Sequence, residues 1–388
     1  MKARIYERIA EIDPPRWDGV HGGSPGDPFS TYATLDALET AQLPGVRMWY
    51  ATLEDTGGRW VAAAPLARVE IDGLRISRGL FRQIIVSARR IYPGFMRTAV
   101  MVCGAPLSVG NPPARISRDA DRRAVLRDLA GVLQEAAVQY RAPWRVFKEF
   151  PEDALAEART ALEPGGWILA PSEPNFRIPL PWSDYEGYLN SLRSDYRYKI
   201  RKAARKLERA GIAVDVVPLR DGYDAALHRL YDAVVDRAVA QLERLTPAFF
   251  IAFGRAFGDA APLIRLRRDG RVVGWVAMLF AGDVAFDMFH GIDYEENARS
   301  DLYFNQLAEV IRLAIARGAR ALSMGQSTEI AKTRFGGQIV PLWVATRHSN
   351  PVVHLLLRAG RRQLFPAKAA PVRHVFREGG GAAEGAGP

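Results

Sequence analysis

One order of elements occurs twice along this chain, and few folds accommodate it. The alternating runs VRMWYATLE and RWVAAAPLARV, joined through the turn signal DTGG, predict a hairpin, and AVMVCG predicts a strand ending at Gly104. A loop (APLSVGNPPARISRD), a helix (ADRRAVLRDLAGVLQEAAVQY) and a strand (WRVFKEF) follow. From Pro262 the series returns: a hairpin (PLIRLRRDG, RVVGWVAMLFAG), a strand ending at Gly291 (VAFDMFHG), a loop (IDYEENARS), a helix (DLYFNQLAEVIRLAIARGA) and a strand (RALSMGQ). The repeat is one of topology and not of letters. It predicts an α/β protein of two tandem units, each a mixed sheet flanked by helices.

Length agrees, since 388 residues suit about two domains. The Pro- and Gly-interrupted stretch GGWILAPSEPNFRIPLPW places the division near Pro179, giving units over 1–178 and 179–378. The tail 379–388, Gly-rich and nearly without apolar side chains, is expected to be disordered. Between Gly73 and about Arg97 the Gly, Pro and Arg content predicts a long surface loop.

The 53 basic against 43 acidic residues give a formal charge of +10, which attracts polyanions: phosphates, RNA or an anionic membrane face. A lone cysteine, Cys103, excludes an internal disulfide framework, and no Cys and His spacing suits zinc, so neither a metal nor a tightly bound cofactor is expected. A reducing cytoplasm is the expected location. No apolar run approaches the roughly 20 residues of a membrane span, which leaves only peripheral membrane contact open.

Much of the positive charge gathers in LNSLRSDYRYKIRKAARKLERAG, closed by glycine in the manner of a helix C-terminus. Leu192, Tyr196, Ile200, Ala203, Ala204 and Leu207 form one apolar stripe, so the helix is expected to pack against something. Arg197, Arg201, Arg205 and Arg209 make a second stripe, with Lys199, Lys202 and Lys206 beside it, and only Asp195 and Glu208 offset them. A solvated face is the plain reading. Poorly offset like charge favours an external anion, whether a substrate phosphate or a nucleic acid.

The doubled order resembles the GNAT fold of N-acyltransferases, and its tandem use in one chain resembles the Fem-type peptidoglycan bridge transferases. Those families carry an Arg-x-x-Ile-Arg-Lys-Ala helix opening the second unit, here Arg197 to Ala203. They also carry a Gly-rich strand end followed by a lysine and a Phe-Gly pair, here MGQSTEIAKTRFGG. The resemblance implies transfer of an acyl group from acyl-CoA, as co-substrate, to an amine of a small or cell-envelope-related acceptor. It puts Lys332 at the active-site lysine, with Gln326 and Ser327 as neutral hydrogen-bonding groups on the substrate.

Acyl transfer to an amine needs an anchored donor, a stabiliser for the developing oxyanion and a proton acceptor, and no covalent nucleophile. In VAFDMFHG the strand period sets Asp287 on the face opposite Phe286, Met288 and His290, and either Asp287 or His290 is the candidate base. Tyr303 and Asn305, opening the next helix, are candidates for the substrate cleft. Arg197, Lys199 and Arg201 are candidates for holding a phosphate, as are Arg299 and Ser300 at the loop before the helix. That loop, Glu295 to Asp301, departs from the acetyl-CoA-binding pattern by lacking glycine. Lys148, Glu149, Arg89, Arg90 and Tyr92 of the first unit are further candidates for the acceptor. Two other readings stand beside this one: the same fold with aminoacyl-tRNA as donor, and a non-enzymatic RNA- or DNA-binding protein.

Overall fold

Seven apolar side chains of one amphipathic helix, Arg122–Gln139, decide where the first sheet buries its face. Val125, Leu126, Leu129, Val132, Leu133, Ala136 and Ala137 are all buried in one core with Trp49, Leu66, Met101 and Phe147 of the strands. Each large side chain so buried contributes about 1.5–3 kcal/mol. Asp121 caps the helix by accepting from the amides of Arg123 and Ala124. These details come from a computed structural model, which describes residues 1–20, 27–76, 79–95, 97–237, 244–326, 328–366 and 373–377. The tail at 379–388 lies outside the described residues.

The chain forms two compact units. The first comprises Met1–Ser172, Ala238–Thr246 and Pro341–Ala367, and the second Glu173–Arg237, Pro247–Val340 and Lys368–Pro388. The sequence-based division at 178 and 179 falls inside the strand Asn175–Pro179, which pairs with Ala321–Ser323 and so belongs wholly to the second unit.

The first sheet runs in the order Lys2–Tyr6, Val46–Glu54, Trp60–Asp72, Arg97–Cys103, Trp144–Pro151, Leu342–His348, Ile168–Pro171, with Arg115–Ile116 paired to Trp60–Asp72. The second runs Gln338–Val340, Asn175–Pro179, Ala321–Ser323, Val284–Ile292, Arg271–Ala281, Pro262–Arg268, Ala213–Pro218. Among the described residues each sheet has one parallel pair, the one joined through the long helix, and is otherwise antiparallel. The repeated mixed α/β unit expected from the sequence is therefore present.

Two local expectations fail. The stretch after Gly73 is helical over Gly73–Ile76 and Gly79–Arg89, because Ile85 is wholly buried and Arg89 reaches the Asp72 carboxylate and the Phe95 carbonyl. The basic helix begins at Ser194 and ends at Arg209, preceded by a separate helix over Tyr185–Ser191. Leu192 breaks the run by pairing with Phe376, while the Arg193 amide donates to the Val375 carbonyl at 2.9 Å. Ile200, Ala203 and Leu207 are its buried face, while Ala204 is exposed.

Candidate active site

The parallel pair of the second unit stops early. Val284, Ala285 and Phe286 pair with Ala321, Leu322 and Ser323, and there the strands part. Val284–Ile292 continues alone on that side, while the amide of Met324 turns to the Phe176 carbonyl and Gly325 takes a positive φ of 70°. Parting strands leave backbone groups free to pair with an extended ligand.

Beyond the parting, the ladder to Arg271–Ala281 holds a bulge: Ala277 pairs with Phe289 and Met278 with Asp287, leaving Met288 extra. A bulge residue reverses the alternation that follows it. The period-two expectation that Asp287 and His290 face opposite sides is thereby corrected: His290 Nε2 lies 2.8 Å from Asp287 Oδ1.

Gln306 orients the His290 ring. Its Nε2 donates to the carbonyls of Trp275 and Gly291 at 3.2 and 2.9 Å, so its Oε1 can only accept, and it faces His290 Nδ1 at 3.0 Å. The ring therefore carries its proton on Nδ1. The other ring nitrogen, Nε2, is the one that faces Asp287 Oδ1 at 2.8 Å. The line of that contact is poor, and neither Asp287 oxygen receives a well-aligned hydrogen bond among the described residues. Tyr303 stands edge-on to the His290 ring at 5.3 Å and shares a hydrogen bond with Thr328 Oγ1 at 2.6 Å. Burial, and after it the Asp287 charge, holds its phenol protonated far above neutrality.

Lys332 completes the group. It lies on the helix Glu329–Arg334 and is 3% exposed, not a surface lysine. Its Nζ donates to the carbonyls of Gly325 and Gln326 at 3.0 and 2.6 Å and sits 5.8 Å above the Phe176 ring. Burial pushes its pKa down to about 8, against the opposing pull of Asp287. Gly325 stands in the gap: a Cβ there would lie 3.7 Å from the Asp287 carbonyl oxygen and 3.9 Å from Nζ.

The expected phosphate ligands are not gathered in this way. Asp293 caps the helix Tyr294–Ser300 by accepting from the amides of Glu295 and Glu296, and Asn297 Oδ1 accepts from the Tyr303 amide at 2.9 Å. The helix-start amides that could have held a pyrophosphate are thus partly occupied by the chain's own side chains. Ser300 is wholly buried with its hydroxyl donating to the Glu296 carbonyl at 2.8 Å, and has no surface for a phosphate. Exposed Arg299 lies 3.4 Å from Glu296, which also pairs with Arg268 at 2.7 Å. Asn305 is buried and donates to the carbonyls of Ala203, Ser300 and Asp301, so it ties the helices together instead of facing substrate.

Gln326 donates to the Glu173 carbonyl at 2.7 Å, and Ser327 lies outside the described residues. On the basic helix Arg197 donates to the Leu192 carbonyl at 3.2 Å, Lys199 lies 3.8 Å from Asp195, and Arg201 pairs with Glu186.

In the first unit the matching strand end is stitched shut. Lys148 donates to the carbonyls of Ala105 and Pro106, and Glu149, held at a φ of 56°, accepts from the Gly110 amide at 2.9 Å. Cys103 is buried and its thiol pushed far up, which removes it as a nucleophile. A groove of about 500 Å³ in this unit, lined by Arg127, Gln134, Leu162, Trp167 and Arg347, contains none of the candidate residues.

Residues 194–333 match the model of the acetyltransferase (GNAT) domain family. Apart from residues 238–246, that match lies within the second unit, and it includes Asp287, His290 and Lys332. The whole chain is similar in fold to FemX, with a TM-score of 0.59 at 12% identity, covering 92% of this chain and all of that one. A tandem GNAT protein from the clavulanic acid biosynthesis pathway, without acetyl-CoA, superposes with a TM-score of 0.50 at 12% identity over 90% of this chain and 99% of that one. These likenesses extend over both units and are likenesses of fold. By sequence it is 26% identical over 328 residues to "Putative 8-amino-7-oxononanoate synthase 2" of Mycobacterium tuberculosis, covering 83% of this chain and 42% of that protein. The chain thus spans less than half the length of that curated relative.

Gln306, Asp293 and Asn297 were missed by sequence reasoning. Gln306 left a trace, as a polar residue in register with Leu302 and Val310 on the buried stripe of its helix.

Proposed function

We propose that the GNAT domain transfers an acyl group to a primary amine by direct attack, with Asp287, His290 and Lys332 as its chemical groups. The observation that carries this reading is a buried lysine and a close Asp–His pair grouped where two parallel strands part. The amine nitrogen bonds to the donor's carbonyl carbon, the carbonyl oxygen becomes an oxyanion, and the carbon–leaving-group bond then breaks. Lys332, charged below a pH of about 8, stabilises that oxyanion. Asp287 Oδ2, without a hydrogen-bond partner among the described residues, takes the amine's proton and passes that same proton to the leaving group as its bond to carbon breaks.

The donor on this reading is an acyl-CoA thioester, and a cytoplasmic site of action suits it. A second reading takes aminoacyl-tRNA. It is favoured by the capped helix starts, which offer a CoA pyrophosphate few amides, and by the basic helix, whose charge suits a long phosphate backbone. The relative's name points to an acceptor class, an amine beside a ketone on a carboxylic acid chain, which presents the nucleophile this chemistry needs.

Donor dependence decides. The purified chain, given an amino-ketone acid, is expected to transfer label from acyl-CoA. Transfer from charged tRNA alone, abolished by RNase, overturns the acyl-CoA reading in favour of the second. Transfer from neither donor to any amine, with the protein folded, overturns both.

A further inference from the structure

The helix Pro351–Ala359 of the first unit is built the wrong way round for a water-facing helix. Val352, Leu355, Leu356 and Ala359 fall at the i, i+3, i+4, i+7 spacing of an apolar stripe, and that stripe points outward. Val352, Leu355 and Leu356 are 64%, 65% and 65% exposed, while Leu357 is the residue the helix buries. The next short helix, Arg361–Leu364, adds an exposed Leu364. Scattered apolar residues on a surface need no explanation, but an ordered stripe of this size does.

The charge around the stripe says what covers it. Arg358, Arg361 and Arg362 are exposed beside it, and residues 341–367, the stretch of the first unit that carries it, contain four arginines and no aspartate or glutamate. A second copy of the chain would set these arginines against themselves. An anionic lipid surface satisfies both features at once, taking the apolar side chains below its headgroups and the guanidinium groups among its phosphates.

The first unit repeats the composition elsewhere. On the helix Gly79–Arg89, Ile84 and Val86 are exposed, as are Ile91 and Tyr92 just after it, and residues 73–118 hold eight arginines and no acidic residue. No helix among the described residues is long and apolar enough to cross a membrane.

We propose that the helix Pro351–Ala359, with the arginines that follow it, docks the first unit onto an anionic lipid surface. The contact is peripheral and reversible, and independent of which donor the GNAT domain uses. Its strength comes from apolar burial and charge together, so neither alone holds the chain on a bilayer.

Flotation of the full chain with large vesicles tests this, using phosphatidylcholine alone and phosphatidylcholine with about one-third phosphatidylglycerol, at about 0.1 M salt. Wild-type protein is expected to float with the anionic vesicles and to remain below with the neutral ones. The double variant Leu355→Asp, Leu356→Asp and the double variant Arg358→Glu, Arg361→Glu should each lower the bound fraction at least about tenfold. All four side chains are exposed, so both variants should melt with the wild type; a melt within a few degrees of it confirms that folding is intact. Equal flotation of wild type and the leucine variant overturns the proposal, as does equal binding to neutral vesicles. A dimer in ultracentrifugation that the leucine variant dissociates, without vesicle binding by wild type, overturns it too and gives the face to a second copy.

Discussion

Lys332 holds a charge where charge is expensive. An ammonium whose folded pKa lies near 8, against about 10.4 in the unfolded chain, is charged in both states at neutral pH and costs about 3 kcal/mol there. As pH rises through 8 the folded state loses the proton first, so stability rises between about pH 8 and 10, and the cost is relieved. Lys332→Met removes that cost but leaves the Gly325 and Gln326 carbonyls without their donor, and the two effects are of similar size. Turnover should therefore fall about 10²–10³-fold while the melting temperature moves by only a few degrees. Wild-type activity should decline as pH rises through about 8, and a pH–rate profile without that limb would remove the ammonium from the mechanism. Asp287→Asn tests the other half of the site. The amide can donate to His290 Nε2 and relieves a buried carboxylate that has no aligned hydrogen bond, so stability should hold or rise. Turnover should drop about 10²–10⁴-fold, because an amide takes up no proton. Wild-type turnover in that variant would shift the base elsewhere.

At the scale of elements, the helix Ser194–Arg209 divides its charges into two groups. Arg197, Lys199 and Arg201 are already engaged with Leu192, Asp195 and Glu186, whereas exposed Lys202, Arg205 and Arg209 make no ion pair among the described residues. These three are better placed for an external anion than those first singled out. Reversing them together (Lys202→Glu, Arg205→Glu, Arg209→Glu) should change stability by about 0.5 kcal/mol or less per site, since none is buried. If the donor is tRNA, its affinity should fall and the salt dependence of binding should flatten by about one charge per side chain removed. An unchanged Michaelis constant for either donor, measured at low salt, would reduce the helix to a solvated face. The helix itself was legible because its period of 3.6 is local. Its start was not, because Leu192 leaves the helix to pair with Phe376, a partner far away in sequence.

Across the whole molecule the chain does not finish one unit before beginning the next. After the second sheet it returns to the first, where Leu342–His348 lies between Trp144–Pro151 and Ile168–Pro171 with Ala345 fully buried. Ala345→Pro removes a ladder donor from this interior strand and should cost about 3 kcal/mol or more. Hydrogen exchange should then show protection lost at Trp144–Pro151 and Ile168–Pro171 and retained at Val284–Ile292. Equal loss in both sheets would show that the strand does not belong to the first unit alone. What the sequence determined by itself was the repeated α/β order and the packed basic helix, because helix and strand periods are short-range properties of neighbouring residues; Asp287 and His290 stood there only as candidates, and Lys332 only through the family resemblance. Only the tertiary structure decided how these three are arranged. The bulge at Met288 brings Asp287 and His290 together, Gln306 orients the His290 ring, and burial lowers the pKa of Lys332. Strand register and desolvation depend on partners distant in the chain, and no local period encodes them.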